Sequence, residues 1–450
     1  MEKEKKSDRY ISGAEARRLR RDNKREMLRL EKRKKAHIGE GQYLARMKND
    51  QNLVEFEDLN VYFFTDGGVV KSVNGVSFDI PSGKTVGVIG ESGCGKSVTA
   101  LSLLQLIQAP QGQIVSGSIR FKTNDFERDD SGSPIPVYEY APDADGKPAP
   151  VLTEKTDKRG KPVLDPDGKP LFVQKQLISE DGLPVFEMVD KTVDIAKMPV
   201  AALQKIRGRD ITMIFQEPMT SLNPVFTIGW QLDEVTLLHV PGTTRKTARG
   251  HSIKMLELVG MAIPEKVCGQ YPHELSGGMR QRVMIAMALA CKPKLIIADE
   301  PTTALDVTIQ AQILELLRNI KSQVGCGIML ITHDLGVIAE MADYVVVMYA
   351  GKVVETGTTE EIFAAALHPY TIGLQRSILS VNKKVGRLQS IAGQVPNPIN
   401  MPDYCYYRDR CKSAFSACGG KPPRLCKVSD THSVSCYLYD KAAGEAGGEA

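Results

Sequence analysis

The sequence predicts an α/β fold in which helices cover a mostly parallel β-sheet. From Leu53 to about Ser380, short runs rich in β-branched residues alternate with longer helical runs, which is typical of such a sheet. One strand-to-helix junction is rich in glycine, and another apolar strand ends in two acidic residues. The strands that we predict for the core are 84–89, 211–215, 295–298 and 327–331.

The bulk composition limits the classes of protein to consider. The chain has 450 residues, of which 42% are hydrophobic and 25% charged, as is typical of a soluble globular protein. Its longest apolar runs, such as 344–349, are far shorter than the roughly 20 residues of a membrane helix. The first ten residues lack the apolar segment of a signal peptide. We therefore expect the protein to stay in the compartment where it is made and to meet a membrane through a partner.

Residues 1–50 are predicted to form a basic helical extension. They contain 17 Lys and Arg against 9 Asp and Glu, which exceeds the net charge of +4 for the whole chain. One interpretation is a solvated, partly disordered helix with charges all round. Another is attraction to anionic lipid head groups at a membrane surface. Nucleic-acid binding is not favoured, because no aromatic residues are interleaved with the basic ones.

The predicted main domain, 51–380, is interrupted by an insertion at 122–197. This insertion is polar, is rich in Asp, Gly, Lys and Pro, and repeats a Gly-x-Pro turn, as in 146–148, 160–162, 168–170 and 182–184. Asp-Gly pairs at Asp145, Asp167 and Asp181 are typical of β-hairpins. Two interpretations stay open, a surface meander of small hairpins and a flexible linker.

The glycine-rich segment 90–97 reads GESGCGKS and fits the pattern GxxxxGK[ST] between a strand and a helix. Its glycines would allow backbone N–H groups to turn toward phosphates, and the helix N-terminus would add a partial positive charge. We expect Lys96 to reach the β- and γ-phosphates and the Ser97 hydroxyl to bind Mg²⁺. The predicted nucleotide-binding residues here are Gly90, Ser92, Gly93, Cys94, Gly95, Lys96, Ser97 and Val98.

Strand 295–298 runs directly into Asp299 and Glu300. Asp299 suits the surroundings of Mg²⁺, and Glu300 is placed to polarise a water for attack on the γ-phosphate. Either feature alone could be a strand that ends in solvated acids, and the glycine-rich segment alone could be a chance match. Together and in this order they predict a P-loop NTPase.

Residues 275–282, LSGGMRQR, resemble the signature motif of the ABC ATPases. The resemblance extends over about 53–380, apart from the insertion. It implies that this segment contacts the γ-phosphate of ATP bound by a second ATPase subunit, so that ATP holds two subunits together. The residues implied in that contact are Ser276, Gly277, Gly278 and Gln281.

Further motifs of the ABC ATPases are matched in type and in their order along the chain. Gln216 resembles the glutamine that senses Mg²⁺ and the attacking water, and Asp306 lies in a segment similar to the D-loop. His333 resembles the switch histidine that contacts the γ-phosphate. An aromatic residue is expected to stack on adenine, and spacing favours Phe63, with Tyr62 as the alternative. The resemblance thus implies three catalytic residues (Glu300, His333 and Gln216) and three residues around Mg²⁺ (Ser97, Gln216 and Asp299).

The segment 219–229 and the run His368-Pro-Tyr-Thr371 resemble those of oligopeptide and dipeptide importer ATPases. So does the region 381–450, which holds five of the nine cysteines. In that family, cysteines matching Cys405, Cys411, Cys418 and Cys436 are associated with a [4Fe–4S] cluster, whereas Cys426 falls outside the pattern. Zinc, with His432 nearby, and a reduced, unliganded tail remain alternatives.

The resemblance implies an ATP-binding and hydrolysing subunit that energises the import of oligopeptides or dipeptides. It would lie peripherally on the cytoplasmic face of the inner membrane. Its implied partners are a related but different ATPase subunit, two transmembrane permease subunits and an extracytoplasmic solute-binding protein. Three alternatives remain: an importer of nickel or another small solute, a non-transport ABC ATPase acting on nucleic acid or ribosomes, and a catalytically silent regulatory partner.

Overall fold

The computed structural model describes residues 13–36, 38–143, 148–156, 161–217, 221–303, 305–377, 391–401 and 403–440. These residues form two compact units. The first comprises the chain up to Lys122, Thr192–Gln216 and the chain from Pro293 onward; the second comprises Thr123–Lys191 and Glu217–Lys292. Among the described helices, none combines the length and the apolar character that crossing a membrane requires.

The strands, in chain order, are β1 (Asn52–Thr65), β2 (Gly68–Pro81), β3 (Thr85–Ile89), β4 (Gly112–Phe126), β5 (Tyr140–Pro142), β6 (Pro148–Pro150), β7 (Leu152–Glu154), β8 (Phe172–Gln174), β9 (Met188–Asp194), β10 (Ile211–Ile214), β11 (Leu295–Asp299), β12 (Gly327–Ile331), β13 (Tyr344–Tyr349), β14 (Lys352–Thr358), β15 (Cys426–Lys427) and β16 (Ser433–Val434). The helices are α1 (Gly13–Lys35), α2 (Lys96–Leu103), α3 (Val200–Leu203), α4 (Ile228–His239), α5 (Arg245–Leu258), α6 (Pro264–Gly269), α7 (Gly277–Leu289), α8 (Val307–Val324), α9 (Leu335–Met341), α10 (Thr359–Ala364) and α11 (Pro369–Arg376).

The larger sheet has the strand order β10-β11-β12-β3-β13-β14-β16-β15. Pairing is parallel from β10 through β13 and antiparallel from β13 onward. The four strands predicted for the core are therefore confirmed, with ends that differ by at most one residue. Because β3, β11 and β12 are parallel neighbours, their carboxyl ends lie at one edge, where ligands bind in open α/β sheets.

The smaller sheet is largely antiparallel, with the order β2-β1-β4-β9. The apolar faces of both sheets and of α2 enclose one core. Its fully buried side chains include Val88, Leu103, Ile297 and Ile331. Burying each such side chain contributes about 1.5–3 kcal/mol, so this core is the main source of stability for the first unit. It also holds the carboxyl ends of the parallel strands in place.

Helices α4 to α7 make up much of the second unit. Leu232 of α4, Leu256 of α5 and Ile285 of α7 are almost completely buried, at 1%, 0% and 0% exposure. Side-chain caps define where these helices begin: Thr227 accepts a hydrogen bond from Trp230 N, and Thr244 forms a capping box with Thr247. Such caps stabilise a helix N-terminus by about 1 kcal/mol.

Most of the insertion, residues 123–191, belongs to the second unit, whereas its two ends belong to the first. The described part forms a ladder of short hairpins, as the first interpretation predicted. Two of the predicted Asp-Gly turns are present, with Gly168 and Gly182 at φ angles of 79° and 84°. A further turn has Gly132 at φ 80°. The third predicted turn, at Asp145, lies outside the described residues. The flexible-linker interpretation is wrong for the described part of the insertion.

A repeated hydrogen-bond ring explains how this ladder is ordered. Glu127 N donates to Glu187 O, Glu187 N donates to Ile135 O, and Ile135 N donates back to Glu127 O, each at 2.9 Å. Three more closed rings join residues 137, 185 and 177, residues 139, 175 and 151, and residues 155, 171 and 163. Each ring satisfies backbone groups of three chain segments at once. The ladder is therefore held together largely by its backbone.

The insertion also contacts the helices of its own unit. Asp181 forms an ion pair with Lys292, and Glu180 O accepts a hydrogen bond of 2.7 Å from Lys254 Nζ on α5. An ion pair near the surface contributes at most about 1 kcal/mol, so these two contacts orient the ladder more than they stabilise it.

Helix α1 packs against the smaller sheet. Leu30 is only 2% exposed, Asn23 Nδ2 donates to Thr65 O at 2.9 Å, and Arg33 Nη2 donates to Ile114 O at 3.0 Å. On the same side, Gln113 Nε2 donates to Glu31 Oε1 at 2.7 Å. The prediction of a helix solvated all round is therefore wrong for α1. The charge pattern did not predict that α1 packs against the sheet, because a single buried leucine anchors an otherwise basic helix.

We expect Leu30→Ala to loosen α1, because truncating a buried leucine costs about 2 kcal/mol or more. Trypsin should then cleave the full-length protein within α1 at least about ten times faster than wild type. Leu28→Ala is the matched control, since Leu28 lies two residues away, toward the opposite face of the same helix, and is 61% exposed. Equal cleavage of the two variants would contradict docking of α1 through Leu30.

Candidate functional site

The glycine-rich loop after β3 can be built only from glycine at two positions. Gly90 and Gly95 have φ angles of 154° and 98°, which other residues rarely adopt. A Cβ at Gly95 would lie 2.2 Å from Ser72 O, and one at Gly90 would lie 2.2 Å from Met348 O. The loop then turns into α2, whose N-cap is Gly95. The backbone conformation expected of a phosphate-binding loop is therefore present.

Within this loop, Ser92 and Gly93 are exposed, Val98 is half-buried, and Cys94 is buried. Lys96 is only 7% exposed, and its Nζ donates to Gly90 O at 2.7 Å and to Glu91 O at 3.2 Å. The loop therefore encloses a positive charge, which suits a polyanionic ligand.

Ser97 Oγ donates to Asp299 Oδ1 at 3.1 Å, so the first residues of α2 meet the end of β11. Burial raises the pKa of Asp299 above its ordinary value, and neighbouring Glu300 adds to this rise. A hydroxyl and a carboxylate are the hard oxygen donors that Mg²⁺ prefers. These residues therefore fit the divalent cation that the sequence predicts for this place.

Glu300 is the residue on which the predicted catalytic side chains converge. Its carboxylate accepts hydrogen bonds from Gln216 Nε2 at 2.8 Å and Thr303 Oγ1 at 2.9 Å, and it shares one with His333 Nδ1 at 3.1 Å. Its backbone has φ 47°, and its N–H donates to Ile331 O at 2.8 Å. Strained backbone of this kind persists where the surrounding structure imposes it.

The electrostatics of Glu300 favour an ionised carboxylate. Burial works to raise its pKa, but the hydrogen bonds with His333 and Thr303 outweigh it, so the pKa lies below the ordinary value of a glutamate. The carboxylate is therefore charged at neutral pH and can accept a proton or a hydrogen bond. Sequence reasoning missed Thr303, because a threonine in a loop carries no signal until the fold places its hydroxyl beside Glu300.

The two aromatic candidates for stacking on adenine face different surroundings. The Tyr62 hydroxyl donates to Asn74 Oδ1 at 3.1 Å, whereas Phe63 packs against the core beside Gly112. Both side chains are half-buried. Which of them contacts a nucleotide stays a prediction.

The signature residues lie in the second unit. Ser276 is the N-cap of α7 and accepts a hydrogen bond from Met279 N at 3.4 Å. Ser276 and Gly277 are exposed, and Gly278 is half-buried, whereas Gln281 is only 1% exposed. The start of α7, with its free N–H groups and partial positive charge, is therefore the part of this motif that faces outward.

Two other predicted segments are described in part. Asp306, in the first unit, caps α8 by accepting a hydrogen bond from Ile309 N at 2.9 Å. In segment 219–229, residues 219–220 lie outside the described chain. Further along, in the second unit, Phe226 stacks on Trp230 with ring centroids 4.1 Å apart. Both rings are considerably exposed, at 38% and 43%, so the pair presents an apolar surface.

Four of the five C-terminal cysteines are close enough for their thiols to interact electrostatically. Burial raises the pKa of the Cys436 thiol to about 11, and Cys405, Cys411 and Cys418 add to this rise electrostatically. Cys405 N also donates to Cys418 O at 3.2 Å. Burial raises the pKa of the Cys426 thiol too, but the charges that act on it are those of Asp440 and Arg424, not the other cysteines. Four thiols form a suitable donor set for a metal cluster, although no group of three or more His, Cys, Asp and Glu residues in the described ranges is arranged as a metal site.

His432, the histidine of the zinc alternative, is held elsewhere. Its Nε2 lies 2.8 Å from Oε1 of Glu355, a carboxylate with 0% exposure on β14. The same carboxylate accepts hydrogen bonds from Leu367 N at 2.7 Å and His368 N at 2.9 Å. Glu355 therefore ties the C-terminal region to the end of the larger sheet, where β16 pairs with β14.

Comparison with known proteins places this geometry in a family. The ABC transporter family matches residues 73–141 and 188–303, and the oligopeptide/dipeptide transporter C-terminal region matches residues 354–418. The oligopeptide transport ATP-binding protein AppD of Bacillus subtilis is 40% identical over 393 residues, covering 87% of this chain and 98% of AppD.

Two further relatives from Bacillus subtilis agree. The dipeptide transport ATP-binding protein DppD is 39% identical over 396 residues, covering 88% of this chain and 97% of DppD. The oligopeptide transport ATP-binding protein OppD is 40% identical over 387 residues, covering 86% of this chain and 88% of OppD. This chain is therefore an ABC transporter ATPase. Within that class it belongs to the family of ATP-binding subunits of oligopeptide and dipeptide transporters.

The geometry around Glu300 makes a direct prediction about hydrolysis. Glu300→Gln keeps the shape of the side chain but removes the charge, so ATP hydrolysis should slow by at least about 10²-fold, as on loss of a general base. ATP binding should persist, because the loop and Lys96 are unchanged. Turnover and ATP affinity of the assembled transporter should be measured side by side. Glu360→Gln, at an exposed position in the first turn of α10, is the control. If Glu300→Gln hydrolyses ATP as fast as this control, Glu300 is not the general base.

Proposed function

We propose that this chain binds ATP with Mg²⁺ and hydrolyses it to drive the import of oligopeptides or dipeptides through a membrane permease. The observation that carries the proposal is the convergence of Gln216, Thr303 and His333 on the ionised carboxylate of Glu300, at the sheet edge that also holds Lys96 and Ser97. The relatives named as peptide transport ATP-binding proteins support the choice of peptide as the solute.

Each residue of the site has a distinct task in this proposal. The loop N–H groups and Lys96 bind the phosphates, and Ser97 and Asp299 hold Mg²⁺. When bound, Mg²⁺ would neutralise the charge that develops on the phosphate oxygens. Glu300 orients the attacking water and accepts its proton. Gln216 and His333 keep the carboxylate in position, and Thr303 restricts its rotation.

The same proposal requires a second ATPase subunit. The exposed start of α7, with Ser276 and Gly277, carries free N–H groups that suit the γ-phosphate of ATP bound by another subunit. One chain would then complete the site of its partner, and hydrolysis would release the two. We propose that this partner is a related but different chain, and that both attach peripherally to two permease subunits at the cytoplasmic face of the inner membrane. An extracytoplasmic solute-binding protein delivers the peptide.

The stacked pair Phe226 and Trp230 supports attachment to a permease. Exposed aromatic rings on one helix start are favourable contacts for an apolar helix of a partner, and aromatic residues dominate the affinity of many interfaces. Leu238, on the same helix α4, is 72% exposed but lies outside this stacked pair. It therefore serves as a matched control for simple loss of surface hydrophobicity.

To test the function, the full chain should be co-expressed with the permease and partner subunits and reconstituted into liposomes. We expect a peptide-loaded binding protein to stimulate ATP hydrolysis by wild type and by Leu238→Ala. Trp230→Ala should lower both the stimulation and the amount of chain that co-purifies with the permease, by roughly tenfold if the ring is a hot spot. Stimulation by nickel but not by peptide, or co-purification with nucleic acid in place of permease, would contradict the proposal.

We also propose that Cys405, Cys411, Cys418 and Cys436 bind a [4Fe–4S] cluster. Two contacts support four sulfur ligands over a Cys₃His zinc site: Cys405 N donates to Cys418 O, and His432 is held by Glu355. The role would be structural, holding the C-terminal region together.

Anaerobically purified wild type should accordingly be brown and contain about four irons per chain. Cys418→Ser should lose most of this iron, because it removes one of the four thiolates. Cys426→Ser should keep it, since Cys426 lies outside the group. Metal analysis by mass spectrometry checks all three proteins. Stoichiometric zinc without iron, or equal iron in both variants, would contradict the cluster.

A further inference from the structure

An arginine of the cysteine-bearing region reaches the phosphate-binding loop. Arg410 Nη1 lies 3.0 Å from both carboxylate oxygens of Glu91, the second residue of that loop. The Arg410 side chain is 6% exposed and that of Glu91 28%. Because the pair is largely removed from water, its charges interact more strongly than an exposed ion pair would.

The remaining donors of Arg410 are also engaged. Its Nε donates to Ala392 O at 3.0 Å, Nη2 donates to Ile391 O at 3.3 Å, and Nη1 lies 3.3 Å from the Tyr349 hydroxyl. The guanidinium is thus held in one orientation, with its charge directed at Glu91.

A second contact fixes the backbone at the same residue. Glu91 N donates to the Tyr370 hydroxyl at 2.8 Å, and Tyr370 is fully buried. Its ring packs against Tyr349 and Tyr407, with centroids 4.7 Å and 5.4 Å away. The position of Glu91 is therefore determined from outside the loop, at both its backbone and its side chain.

Glu91 poses an electrostatic problem for a phosphate-binding loop. Its carbonyl oxygen lies 3.2 Å from Lys96 Nζ, so Glu91 is a direct neighbour of the group that attracts phosphates. An uncompensated carboxylate there would repel a triphosphate. We propose that Arg410 is a positioning residue for nucleotide binding, which neutralises and holds Glu91 so that the loop attracts ATP. This inference rests on the proposed nucleotide binding and assigns part of it to the C-terminal region.

The test is a charge-rescue experiment on the full-length protein, with a fluorescent ATP analogue (mant-ATP) as the probe. Arg410→Gln should weaken binding by about tenfold, because it leaves Glu91 charged and unpaired. Glu91→Gln in the same chain should restore the dissociation constant to within about threefold of wild type, because it removes the charge that Arg410 balanced. Arg408→Gln is the matched control, since Arg408 lies in the same short turn but pairs with Asp409.

Two further measurements separate positioning from a general loss of structure. The KM for ATP in the assembled transporter should rise with Arg410→Gln, whereas turnover at saturating ATP should change less than about twofold, because the Glu300 group is untouched. Arg410→Lys keeps the positive charge but lacks the fixed set of donors, so it should bind mant-ATP more weakly than wild type by less than about tenfold. This variant decides the matter if thermal unfolding shows that Arg410→Gln does not fold.

The inference is overturned if Arg410→Gln binds mant-ATP like wild type, or if the double variant binds as weakly as Arg410→Gln alone. It is also overturned if Arg410→Lys loses tenfold in affinity while remaining folded. Failure of wild type itself to bind mant-ATP would instead refute the proposed function. The two failures are therefore distinguishable.

Discussion

The site depends on the in-register parallel pairing of three neighbouring strands. Ile331 at the end of β12 pairs with Val88 of β3 on one side and with Asp299 of β11 on the other. This register places the start of the phosphate-binding loop, the acidic pair and the segment that leads to His333 at one edge. A shift of one residue would move Asp299 away from Ser97 and turn the core side chains of these strands to the opposite face. Because β3, β11 and β12 are buried on both faces, such a shift would disrupt the side-chain packing on both sides of the sheet. The core therefore determines the chemistry indirectly.

Two additions to this framework are stabilised in different ways. Helix α1 is anchored by one buried leucine and a few hydrogen bonds to backbone carbonyls of the smaller sheet. The insertion instead satisfies its backbone in closed rings of three N–H donors and leaves much of its apolar surface exposed, as at Tyr140, Leu152 and Phe172. Among the described residues, the side chains that contact Glu300 come from neither addition. The ATPase framework can therefore tolerate extensions whose stability is obtained locally.

The C-terminal region is part of the nucleotide-binding framework and not a separate tail. Buried Glu355 joins it to β14, Arg410 joins it to the loop at Glu91, and Asn74 Nδ2 donates to the Tyr406 hydroxyl at 3.0 Å beside Tyr62. These contacts link residues that are hundreds of positions apart in the chain. Rigid surroundings of this kind reduce the reorganisation that a binding site must undergo when its ligand enters.

The sequence by itself determined the parallel sheet, the phosphate-binding loop and the order of the motifs, because these depend on local patterns. The sequence alone shows the apolar runs of strand length, the glycines of the loop and the lysine before a helix. Only the tertiary structure decided that Thr303 contacts Glu300, that Leu30 anchors a basic helix, that Gln281 is buried and that Arg410 meets Glu91. These contacts depend on which side chains the sheet register brings within about 3 Å of each other, and hydrogen bonds at that range leave no periodic trace in the sequence.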